Sequence, residues 1–170
     1  MPKKKILNIS DFINIKNLEK NIHNLSKRYL DAKPFPHIVI DNFLKRNCIA
    51  NTLEGFKNVD WASYTHFNEK KSGNKTTNFD PLLSKTIDAL NSNEFIKILE
   101  QITGIPNLIA DHKLGSGGVH RSTTGGFLNI HADFTVHPYN KKWHRRVNVL
   151  IYLNEVWEEN WGGQLEFWDK

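Results

Sequence analysis

Apolar residues recur at helical spacing through the first two thirds of the chain and tend to alternate through the last third. Ile15, Leu18, Ile22, Leu25 and Tyr29 fall every three or four residues, which predicts an amphipathic helix over residues 11–30. Pro34 and Pro36 bring it to an end. His37, Ile38, Val39 and Ile40 read as a short strand, after which Asp41 or Asn42 can cap a second helix carrying Leu44, Cys48, Ile49, Leu53 and Phe56. Residues 61–67 alternate as a strand, and residues 70–78, rich in Lys, Gly, Asn and Thr, read as a mobile polar loop. Asp80 and Pro81 open a third helix with Leu82, Leu83, Ile87 and Leu90 as its buried stripe. Asn93 opens a fourth through Phe95, Ile98, Leu99 and Ile102, stopped by Gly104 and Pro106.

From Leu108 onward the pattern becomes short strands between glycine-rich turns at 115–118 and 123–126. Residues 127–130, 145–154 and 162–167 are strand-like. Within the second of these, Arg146, Asn148, Leu150 and Tyr152 share one face while Val147, Val149, Ile151 and Leu153 share the other. The mixed face suits the interior of a ligand-holding barrel, and the apolar face suits packing under helices. Helices first and strands afterwards predict an α+β fold with helices packed on one face of a β-sandwich. Residues 1–170 are expected to form one domain, with 1–107 as mainly helical support and 108–170 as the β-rich part.

The 170 residues, 39% apolar and 24% charged, suffice to bury a core without disulfides. The lone Cys48 suits a reducing compartment and reads as a small buried hydrophobe. No stretch nears the roughly 20 apolar residues of a membrane span, and the basic start leads into no apolar signal core, so a cytoplasmic location is expected. The net charge of +5 comes from scattered lysines, which argues against a nucleic-acid surface.

Chemistry gathers around His131-Ala132-Asp133. Two residues apart on an extended segment, imidazole and carboxylate point to one side and can grip one metal ion. By itself this spacing is common. Its surroundings make it specific: Gly125-Gly126-Phe127-Leu128-Asn129-Ile130 before it, Arg146-Val147-Asn148-Val149-Leu150-Ile151-Tyr152-Leu153-Asn154 after it, then Trp157 and Gly162-Gly163-Gln164-Leu165-Glu166. With these residues the last third of the chain resembles the non-haem iron, 2-oxoglutarate-dependent oxygenases, in the branch related to prolyl 4-hydroxylases.

The resemblance implies a double-stranded β-helix (jelly-roll) core with N-terminal helices on its larger sheet. It also implies Fe(II), 2-oxoglutarate and O2, with ascorbate as an accessory reductant, and hydroxylation of a C–H bond, a prolyl residue of a peptide being the suggested substrate. His131 and Asp133 would be two of three iron ligands, a set that leaves three coordination positions open. Tyr152 would reach the far carboxylate of 2-oxoglutarate and Leu150 would line its pocket, with Asn148 and Arg146 as further candidates. The family's third ligand, a His, and its 2-oxoglutarate-clamping Arg or Lys lie beyond the Gly-Gly strand, past Lys170. The chain therefore reads as an oxygenase with an incomplete barrel.

Of the histidines near the site, His120, His137 and His144 read as neighbours of the site or surface groups, with a rewired third ligand at His137 as the alternative. An open sheet edge would invite a second copy and a homodimer. Two rival readings are a degenerate, non-catalytic fragment and a cupin-like metal- or sugar-binding module. Trp157, Trp161, Phe167 and Trp168 are expected in core packing, and Gly162-Gly163 at a close backbone approach.

Overall fold

A computed structural model describes residues 8–115 and 117–169; the basic start and Ser116, in the first glycine-rich turn, lie outside the described residues. Three helices precede the two longer strands of the sheet and two more lie between these and its two short strands: α1 (Ile15–Lys20), α2 (Ile22–Asp31), α3 (Arg46–Phe56), α4 (Pro81–Leu90) and α5 (Asn93–Thr103), with a 3-10 turn at Ile9–Asp11. The helix expected over 11–30 is broken in two at Asn21. Its backbone N–H is shared between the Asn17 and Leu18 carbonyls, and its side-chain amide donates to the Asn17 carbonyl. Such local bonding by Asn competes with a continuous helix.

Helix α4 starts as predicted, with the Asp80 carboxylate accepting from Leu82 N–H at 2.9 Å. Ser92 caps α5, and Gly104 at φ 70° ends it in the left-handed conformation that glycine adopts without cost. Helix α3 starts later than predicted, after Lys45, because Asn42 takes φ 53° in a turn. Its buried stripe is Cys48, Thr52 and Gly55. Gly55 is where α3 meets α4: a Cβ there would lie 2.8 Å from Leu83 N, so the contact depends on its absence.

The helices pack mainly on one another, α2 against α5 and α3 against α4. The expectation that they cover one face of the sheet is corrected. Their core (Ile13, Leu18, Leu25, Leu44, Phe95, Ile98 and Ile102 among others) is closed by Ile38, Ile40, Ile151 and Leu153 from extended segments. Residues 37–40 are extended but pair with no strand among the described residues, so the short strand expected there is not formed.

The sheet is antiparallel: β1 (Trp61–His66), β2 (Glu69–Asn74), β3 (His120–Arg121) and β4 (Phe127–Leu128). Strand β2 is its centre, pairing with β1 on one side and with β3 and β4 on the other. The mobile loop expected at 70–78 is thus largely a strand. Its sequence, polar on both faces, carries no period-2 signal, and backbone pairing to three neighbours fixes it instead. In the other direction, residues 145–154 and 162–167 form no ladder among the described residues. The molecule is therefore mixed helix and antiparallel sheet, compatible with an α+β fold.

Candidate functional site

Strand β4 delivers the site. After Leu128 opposite Glu69, Asn129 N–H donates to the Asn68 carbonyl at 2.8 Å, and its side-chain amide donates to the Phe67 carbonyl at 3.1 Å. The chain leaving β4 is thereby pinned to the β1–β2 turn two residues before His131.

His131 and Asp133 come together as their spacing predicts, although β4 has ended before them. Nε2 of His131 lies 3.6 Å from Oδ1 of Asp133. That gap is too long for a hydrogen bond. Donors about 2.1 Å from a shared divalent ion would stand roughly 3–4 Å apart, so the gap suits a cation between them. The other ring nitrogen fixes the tautomer: His131 Nδ1 is 2.7 Å from the Asn129 carbonyl, an acceptor only, so it carries the hydrogen. Nε2 is the nitrogen left facing Asp133, and metal-binding histidines likewise donate the other ring N–H to a carbonyl or carboxylate.

The carboxylate is oriented too. Oδ2 of Asp133 accepts from the Asn148 side-chain amide at 3.3 Å and lies 3.3 Å from the Arg145 guanidinium. Arg145 also sits 5.0 Å from the centre of the Phe134 ring. With Oδ2 engaged, Oδ1 is the oxygen presented toward His131.

Of the six residues singled out from the sequence, the structure thus unites three: His131, Asp133 and Asn148. Arg146 is exposed, Leu150 is exposed, and Tyr152 is exposed with its ring edge-on to Trp157 at 6.2 Å. Arg145 was missed because strand parity selects Arg146. The chain at 145 instead closes a hairpin, its N–H donating to the Thr135 carbonyl at 2.8 Å, and that turns the Arg145 side chain onto Asp133.

His137 is not a rewired ligand. Its Nδ1 accepts from the N–H groups of Tyr139 and Asn140, and its Nε2 lies 3.2 Å from Asp111 Oδ2. Both nitrogens are occupied away from the His131–Asp133 pair. Among the described residues, no group of three His, Cys, Asp or Glu side chains converges as a metal site.

The C-terminal aromatics are not core. Trp157, Trp161, Phe167 and Trp168 all remain substantially exposed, Phe167 resting on Phe35 and His37. Gly162 and Gly163 make no close approach either. A Cβ at Gly162 would meet nothing within 4 Å, and what the pair supplies is positive φ, 65° and 77°.

Beside β2 lies a polar cavity of about 400 Å³ lined by Tyr64, Glu69, Lys71, Asn74, His120 and Tyr139 among others. Glu69 is held below its usual pKa chiefly by its hydrogen bond to Lys71 at 2.7 Å, with His66 helping. His120 is lowered from its ordinary 6.5 by loss of water around the ring, with Lys71 adding and Glu69 opposing, although part of its surface stays exposed. Both shifts act in the same direction. Below 6.5 the unfolded chain takes up the His120 proton more readily than the folded one, and stability falls until the folded pKa is passed. The Glu69 contribution is full above its unfolded 4.5 and is lost as the pH drops through the lower folded value. Thermal melting from pH 7.5 to 4 should therefore show a progressive fall in Tm, and His120→Gln should flatten its upper part, just below pH 6.5.

Residues 117–170 match the family model described as the 2OG-Fe(II) oxygenase superfamily, a segment that contains β3, β4, His131, Asp133, Arg145 and Asn148. Comparison with the curated proteins finds no match. A general 2-oxoglutarate/Fe(II) oxygenase function, with iron, 2-oxoglutarate and O2, is what the match to this segment supports.

Proposed function

We propose that this chain carries the His131–Asp133 metal-binding pair of an Fe(II)- and 2-oxoglutarate-dependent dioxygenase that hydroxylates a C–H bond. The observation that carries the reading is His131 Nε2 set 3.6 Å from Asp133 Oδ1, inside a segment that matches the oxygenase superfamily. In the jelly-roll arrangement proposed for this chain, residues 146–153 would be a barrel strand. Their half-buried Val147, Ile151 and Leu153 alternate with exposed Arg146, Asn148, Leu150 and Tyr152, as that role requires. The proposed substrate class is a prolyl residue of a peptide.

Bound iron would supply the activation of O2 against 2-oxoglutarate. The chain's own residues do the rest. His131 and Asp133 would hold the ion, while Asn148 and Arg145 engage Oδ2 of Asp133 and leave Oδ1 free. Tyr152 is assigned the hydrogen bond to the distal carboxylate of 2-oxoglutarate, with Leu150 against its methylenes and Arg146 at the pocket rim.

A second reading, a non-catalytic oxygenase-like chain, is favoured by the donor set, which numbers two among the described residues. Two measurements separate the readings. Co(II), as a spectroscopic stand-in for iron, should be bound by the parent chain and not by His131→Ala; equal titrations of the two would overturn the metal assignment. Succinate release with Fe(II), 2-oxoglutarate and ascorbate should be slow, because two donors hold iron weakly, yet above that of His131→Ala. Release no greater than that of the variant would favour the non-catalytic reading.

A further inference from the structure

The segment between Asp133 and Asn148 is a hairpin, and its far end is locked. Thr135 and Arg145 pair at its base, Val136 and His144 form a bridge, and His137 N–H donates to the Trp143 carbonyl at 2.9 Å. Beyond that pair the chain turns around His137 itself. Its Nδ1 accepts from Tyr139 N–H at 3.2 Å and Asn140 N–H at 2.9 Å, closing the turn from inside. Because Nδ1 accepts, Nε2 carries the hydrogen and donates to Asp111 Oδ2 at 3.2 Å, which ties the hairpin to the loop after α5. The ring lies edge-on between Tyr139 and Trp143, with 9% of the residue exposed. It also sits so close to Gly115 that a Cβ there would approach Nε2 to 3.0 Å.

Only Phe134 separates this hairpin from the carboxylate that Arg145 grips. A long flexible guanidinium holds a fixed pose only if its backbone is fixed, since its rotamer entropy opposes it. We propose that His137 is a positioning residue for the metal pair: by locking the 135–145 hairpin it fixes Arg145 on Asp133 Oδ2, and so keeps Oδ1 turned toward His131. The inference rests on the metal reading above, and it assigns to His137 a role at a distance in place of direct ligation.

A double-mutant cycle on the full chain tests it, read by Co(II) titration and by the Asn148 side-chain amide resonances in ion-free protein. His137→Ala and Arg145→Ala should each weaken Co(II) about tenfold, the scale typical of groups that orient a metal ligand. In the Arg145→Ala background, His137→Ala should add little, because its effect passes through Arg145. A general loss of structure would instead lower affinity by the same factor in both backgrounds. That equality, or an unchanged affinity in His137→Ala, would overturn the proposal. Should His137→Ala fail to fold, His137→Asn replaces it; this keeps an acceptor for the turn and should recover part of the parent affinity. If the parent chain binds no Co(II), the metal reading fails. The ion-free amide shifts then decide the coupling alone: Asn148 must move in His137→Ala and stay put when the same change is made in Arg145→Ala.

Discussion

Replacing Asp133 by Ala is expected to lower the affinity for Co(II) or Fe(II) by about a hundredfold or more while leaving the fold intact. The side chain is 44% exposed, so its loss removes little packing, and the thermal transition should stay within roughly 0.5 kcal/mol of the parent. The electrostatic loss is much larger. Asp133 is the anionic member of the pair, and its Oδ1 faces Nε2 of His131. Removing it also releases Arg145, whose charge is then no longer neutralised beside the place a divalent cation would occupy. Attraction is thus exchanged for repulsion at a separation of a few ångströms, where opposite signs are worth several kcal/mol at an effective dielectric near 20. Asn148→Ala removes one hydrogen bond, from a neutral donor, to Oδ2 and should cost about tenfold or less. Isothermal titration with Co(II), alongside circular dichroism, makes the comparison. A loss in Asp133→Ala no greater than in Asn148→Ala would show that the carboxylate is not a ligand.

The contrast between the two halves of the chain shows what the sequence could reveal. Helix ends were legible wherever one residue acts through its own backbone or cap, as with Asp80 and Gly104. The His131–Asp133 convergence was legible because a two-residue spacing on extended chain fixes direction without any neighbour. The same logic survives at 146–153, where burial alternates although no ladder forms, with Val149 the exception at 40% exposed. What could not be read depends on partners distant in sequence. Strand β2, with Glu69, Lys70, Lys71, Ser72 and Asn74, has no apolar periodicity and is ordered by its neighbours' backbones. Arg145 reaches Asp133 because a hairpin closes beneath it, and nothing within the Arg145-Arg146 dipeptide says which arginine turns inward. Asn21 is a smaller instance, since its own side chain ends a helix that the hydrophobic spacing would have continued.

The site and the stability of the molecule lie in different places, which allows them to be perturbed separately. Phe95→Ala is expected to be the most damaging of the substitutions considered, at about 3–5 kcal/mol, the range for removing a large aromatic ring from a core. Phe95 is 2% exposed on the first turn of α5, and its ring stands edge-on to Phe43 at 5.4 Å. It shares a core with Leu18 and Leu25 from α1 and α2, Ile13 before them, and Ile98 and Ile102 further along α5. Helices this short do not persist in water without such packing. The cavity left by Ala should therefore loosen α5 and α2 together rather than fray one end. That loss is a large part of the roughly 5–15 kcal/mol by which a domain is stable, so a single cooperative transition should fall by many degrees or be absent at 37 °C. Leu150→Ala, at a side chain 53% exposed, is the matched control and should melt close to the parent. Urea unfolding of the three proteins by tryptophan fluorescence measures the differences. A midpoint for Phe95→Ala indistinguishable from that of Leu150→Ala would mean that the helical core described here does not hold the fold together.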